Sequence, residues 1–90
     1  MKVEELLEII IKELVLNPEK IKVEKKITEM GTLLIIYCPK EERKYIIGKK
    51  GTTLKLLRGL MWKIGVKNRQ AIYIKIEEQE ENETEKKKAI

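Results

Sequence analysis

The run Ile46-Ile47-Gly48-Lys49-Lys50-Gly51-Thr52-Thr53-Leu54 sets two glycines three residues apart with two lysines between them. An apolar pair leads into it, and an amphipathic helical pattern leads out. Without Cβ, Gly48 and Gly51 permit positive φ in a tight turn and let another backbone come close. Lys49 and Lys50 place positive charge at the tip. The helix that follows begins with N–H groups that have no partner inside the helix, an end that favours anions. The chemistry this suits is non-covalent: the holding of a phosphodiester backbone.

Covalent chemistry is poorly served by the rest of the chain. There is no His and no Asp among the 90 residues. The commonest general bases and metal ligands are therefore missing. Gly48-Lys49 is not followed by Ser or Thr, so the nucleoside-triphosphate loop signature is absent. The Glu residues fall mostly on helix faces, strand edges and the C-terminal tail. The expectation is a binding protein, not an enzyme, with no cofactor and no metal. Cys38 stands alone at the end of an apolar run, where a small buried hydrophobe is expected in place of a reactive thiol.

The net charge of +5 is unevenly spread. Residues 1–39 carry a net −1, residues 40–76 a net +9, and residues 77–90 a net −3. The basic block is centred on the glycine-lysine loop and the helix after it, the footprint expected of nucleic-acid contact. A solvated lysine-rich surface would explain the charge alone, but not its coincidence with the loop. No signal peptide or membrane span is read, because Glu8, Lys12 and Glu13 interrupt the apolar stretch Leu6 to Leu16. The expected setting is cytoplasmic.

The length fits a single domain, expected over residues 1–78, with a charged, disordered tail over 79–90. Val3 to Leu16 has apolar residues at helical spacing, and Asn17-Pro18 is expected to end that helix. Ile21 to Ile27 and Thr32 to Cys38 read as a hairpin about Met30-Gly31. Glu41 to Ile47 reads as a short helical turn before the loop. Thr53 to Ile64 is the main helix, with Leu54, Leu57, Met61 and Ile64 on one face and Gly65 as a left-handed cap. Ala71 to Ile76 alternates like a half-buried strand. Two strands joined through a helical crossover usually run parallel. The expected fold class is therefore α+β, in the order α-β-β-α-α-β, with three helices on one face of a three-stranded mixed sheet.

With I-I-G-K-K-G-T-T-L between a strand and a helix, the chain resembles the K-homology (KH) RNA-binding domain, in its type II arrangement, over Val3 to Glu78. It is most similar to the small stand-alone bacterial KhpA-like family. Their pattern appears here as Asn17-Pro18-Glu19, the Gly48-to-Gly51 loop and Arg58, seven residues after the second glycine. The family's glycine four residues before the loop is Lys44 here. The resemblance implies that single-stranded RNA lies in a narrow groove, its backbone clamped by the loop and its bases on apolar surface. Gly48 and Gly51 would shape the loop, and Lys49 and Lys50 would meet phosphates. Lys55 and Arg58 would follow on the helix, with Arg58 reaching either the nucleic acid or a Glu. Ile46, Ile47 and Leu54 are divided between groove floor and core, with Ile47 and Leu54 as the candidate contacts. Lys22, Lys25 and Lys26 either border the groove or are simply solvated.

Aromatic residues are few: Tyr37, Tyr45, Trp62 and Tyr73. Base support is therefore expected from aliphatic surface, with weak, salt-dependent binding of micromolar class and little sequence preference. Leu56 and Leu60 lie off the main apolar stripe. They are either an extension of the core face or a self-association face. The family resemblance favours a homodimer, and also implies a larger KH-containing protein as partner and a post-transcriptional or RNA-chaperone-like role. Two other readings stay open: an adaptor or dimerisation module in an RNA-associated complex, and single-stranded DNA as ligand.

Overall fold

Seven consecutive β-branched, apolar or aromatic residues, Thr32 to Cys38, make the central strand of the fold. The computed structural model describes residues 1–78. The tail expected over residues 79–90 lies outside the described residues. Strand β1 (Lys22–Thr28) turns at Glu29-Met30 into β2 (Gly31–Cys38), its antiparallel partner. Strand β3 (Ile72–Glu78) lies parallel to β2, so the sheet order is β1-β2-β3. Helices α1 (Val3–Lys12), α2 (Arg43–Ile47) and α3 (Thr52–Lys67) complete the order α1-β1-β2-α2-α3-β3. This α+β arrangement is that of a type II KH fold.

The alternation along the strands decides which face is covered. Leu34, Ile36 and Cys38 from β2 join Ile72 and Ile74 from β3 in one buried cluster with Leu7, Ile11, Ile46, Leu57 and Met61 from the helices. Each such Leu or Ile contributes about 1.5–3 kcal/mol when fully buried. Helix α1 packs over β1 and α3 over β3, which leaves β3 at one edge of the sheet beneath the helix that follows the loop. The opposite face carries Leu33, Tyr37 and Tyr73, outside that cluster.

Two helices end differently from the sequence expectation. Helix α1 stops at Lys12, not Leu16. The N–H groups of Leu16 and Asn17 do not donate up the helix; each donates at 2.9 Å to the carboxylate of Glu42, and the Asn17 side chain does so as well. Glu42 is 1% exposed and anchors this segment to the turn Lys40–Glu42 that precedes α2. Burial alone would raise its pKa. The donated hydrogen bonds from Leu16 and Asn17, helped by the charge of Lys20, outweigh burial and hold it below the ordinary 4.5.

Helix α3 runs on through Gly65 to Lys67, and the left-handed residue after it is Arg69, at φ 57°. Gly65 is not the cap. It is buried, and a Cβ there would strike the Gln70 carbonyl oxygen and lie 3.1 Å from Ile72 Cγ1. Its role is to let α3 approach the start of β3. Asn68 closes the helix, with its side-chain amide donating to the Ile64 carbonyl at 2.9 Å.

Candidate nucleic-acid interface

Gly48 ends α2: its N–H donates to the Lys44 carbonyl at 2.9 Å. Lys44 sits inside this helix. At φ 78° and ψ 173°, Gly48 adopts a conformation that side chains rarely reach. A Cβ there would also strike Thr53 Oγ1 and lie 2.9 Å from the Thr53 nitrogen. Glycine is thus required at 48 on both counts. The chain then makes one tight turn over Lys49–Gly51, closed by the Gly51 N–H donating to the Gly48 carbonyl at 3.1 Å. Thr52 Oγ1 donates to the Lys49 carbonyl at 2.8 Å and braces the turn from the helix side.

Lys50 and Gly51 both take left-handed conformations, at φ 56° and 76°. The space where a Gly51 Cβ would stand holds nothing within 4 Å. The second glycine therefore leaves an open surface for close approach, whereas the first fits against the helix. Helix α3 starts at this point with no side-chain cap and no acidic residue in its first turn. Its positive end, Lys49 and Lys50 face solvent together, an arrangement suited to an anion.

Helix α3 carries the rest of the site. Lys55 and Arg58 are exposed and make no ion pair among the described residues, whose salt bridges join Lys12 to Glu8 and Lys75 to Glu77. Among the described residues, no Glu pairs with Arg58. Arg58 instead lines a cleft of about 490 Å³ with Gly59 and Trp62 on the helix and Ile72, Tyr73 and Ile74 on β3. Of the apolar residues beside the loop, Ile46 is wholly buried and belongs to the core. Leu54 is half-buried and packs against the core, while Ile47 is half-buried and lies outside it. Lys22, Lys25 and Lys26 are exposed on β1, at the opposite edge of the sheet from β3, so they do not border this cleft. Leu56 and Leu60 are 74% and 44% exposed and do not extend the core face.

Aromatic residues also line this cleft. Trp62 and Tyr73 meet with ring centroids 5.9 Å apart and planes tilted by 58°, at the cleft. A signal for this exists in the sequence: Lys55, Arg58, Gly59 and Trp62 recur at helical spacing on one face of α3. Cys38 is buried, as expected, and burial pushes its thiol pKa up, which disfavours the thiolate.

The family model described as KhpA/KhpB, KH domain, matches residues 4–86. The chain belongs to the KhpA/KhpB KH-domain family. Membership in this KH-domain family implies RNA binding, and the family is in general non-enzymatic. No curated protein and no solved structure matches the chain. Among the described residues of this KH domain, no helix is long and apolar enough to cross a membrane.

Proposed function

We propose that the protein binds single-stranded RNA through the Gly48–Gly51 loop and the adjoining face of α3, as a cytoplasmic post-transcriptional or RNA-chaperone-like regulator. The observation that carries this is the loop itself. Gly48 is fixed against Thr53, Gly51 leaves open surface, and Lys49 and Lys50 stand beside an uncapped helix start. Phosphates would sit against Gly51, Lys49 and Lys50, followed by Lys55 and Arg58. Bases would rest on Ile47, Leu54 and the α3–β3 cleft. Few phosphate contacts give micromolar-class affinity, and nothing in the loop selects a base. The test is fluorescence anisotropy with a labelled single-stranded RNA. Lys49→Asp/Lys50→Asp should abolish binding while the circular dichroism spectrum and melting curve stay those of wild type. Equal binding by the variant would refute the loop as the site. The same titration with single-stranded DNA measures how far the 2′-OH matters.

A second reading rests on Leu56 and Leu60, exposed four residues apart on α3. They would pair α3 with a second copy, or with the KH domain of a larger partner protein, about a two-fold axis. A homodimer would present two weak sites and gain by avidity. Under the adaptor reading this face, and not the loop, would carry the biological role.

A further inference from the structure

The sequence places Trp62 four residues after Arg58, and Tyr73 at an outward position of β3. The fold brings them together across the β3 edge, at the end of the cleft away from the glycine loop. Each ring keeps a large exposed area: Trp62 is 49% exposed and Tyr73 38%. Their planes are tilted by 58°, so the rings are not stacked face to face. Neither the indole N–H nor the phenol hydroxyl has a hydrogen-bond partner among the described residues. Such a pair contributes packing at an edge, but half-exposed rings with free polar tips are poorly placed as core.

Tyr73 also lines a second hollow of about 530 Å³, with Thr28, Glu29, Met30 and Leu33. Met30 is 75% exposed there. The two hollows share Tyr73, and Arg58 links the first of them to the helix face that carries Lys55 and begins at the loop lysines. From Gly51 to Trp62 the helix rises about 16 Å. That is about five steps at the 3.4 Å rise of a helical strand, within reach of one short oligonucleotide. Charge changes along this path: cations occupy the loop end, and Glu29 sits at the far rim. Phosphate contacts fit the loop end, and an aromatic base contact fits the Trp62–Tyr73 end.

We propose that Trp62 and Tyr73 form a stacking platform for a base of a single-stranded nucleic acid held at the loop, with the following nucleotide passing toward Met30 and Leu33. The inference rests on the RNA-binding reading above and adds a subsite to it. Every base has a π-face, so the platform adds affinity without strong sequence preference, and favours purines only through their larger stacking area. The free indole N–H and tyrosine hydroxyl can bond to a base edge or a ribose.

Trp62 is the only tryptophan of the chain, so its emission reports this platform alone. The experiment uses the full 90-residue chain and an oligoadenylate long enough to reach from the loop to Tyr73, read by two signals in one titration. Anisotropy of the labelled RNA reports binding anywhere, and tryptophan emission reports stacking at Trp62. The expected result is quenching with the same midpoint as the anisotropy. Trp62→Leu and Tyr73→Leu should each weaken binding by about 5- to 140-fold, the range for loss of one base–aromatic stack. The salt dependence should be unchanged, because no phosphate contact is removed. Tyr73→Phe keeps the ring and should restore near-wild-type affinity, which separates stacking from a folding defect. Anisotropy saturation with unaltered tryptophan emission would overturn the platform while leaving the loop reading intact. Absence of both signals would overturn both.

Discussion

Lys49→Ala/Lys50→Ala gives the electrostatic part of the account a number. Four basic side chains lie on the proposed strand path, Lys49, Lys50, Lys55 and Arg58, all exposed and without ion pairs among the described residues. For single strands, the logarithm of affinity falls with the logarithm of salt at a slope of about −0.7 per phosphate neutralised. Four contacts give a slope of about −2.8, so a fourfold rise in salt should weaken binding about 50-fold. Removing two of the four leaves a slope of about −1.4 and a weakening of about sevenfold over the same interval. The two side chains are exposed, so their loss should change stability by no more than about 0.5 kcal/mol. The assay is anisotropy at four or five salt concentrations for both proteins, with denaturant melts as the folding control. Parallel slopes for wild type and variant would refute the reasoning, because the lysines would then not face phosphates, whatever the change in absolute affinity.

Three further outcomes follow from the packing. Gly65→Ala should lower stability in urea by about 1–3 kcal/mol despite the helix propensity of alanine, because its Cβ would meet the Gln70 carbonyl and Ile72. Because the folded-state pKa of Glu42 lies below its ordinary 4.5, its carboxylate adds stability that is fully present above that pH and lost as pH falls through the folded value. Glu42→Gln should therefore melt at lower temperature near neutrality, and its acid-side melting profile should be flatter than that of wild type. Leu56→Glu/Leu60→Glu should leave the melting curve of the monomer unchanged, since both side chains are exposed, and sedimentation equilibrium should show a dimer for wild type and a monomer for the variant.

The loop and the central sheet were legible because their signals are local. Gly48 and Gly51 are read from backbone conformation and Cβ space, both set within a few residues. The Thr32-to-Cys38 run declares itself by composition, and the helical crossover between β2 and β3 explains why they run parallel. What was hidden depends on residues distant in sequence. The end of α1 at Lys12 is set by Glu42, which draws the N–H groups of Leu16 and Asn17 to itself across 26 and 25 residues. Gly65 looked like a helix cap because glycine usually serves there, whereas its buried contact with Gln70 and Ile72 exists only once β3 docks. Lys22, Lys25 and Lys26 looked close enough to matter until the strand order put β1 at the far edge. Trp62 and Tyr73 lie on different elements, and scarcity of aromatics says nothing about whether two of them meet.

The most direct test of the central claim is a titration of the isotopically labelled chain with a short single-stranded RNA, followed by backbone amide NMR shifts. The account predicts the largest shifts at Gly48 through Leu54, continuing along α3 through Arg58 to Trp62, with α1 and β1 silent. Shifts concentrated at α1 or β1, with the loop amides unmoved, would contradict it.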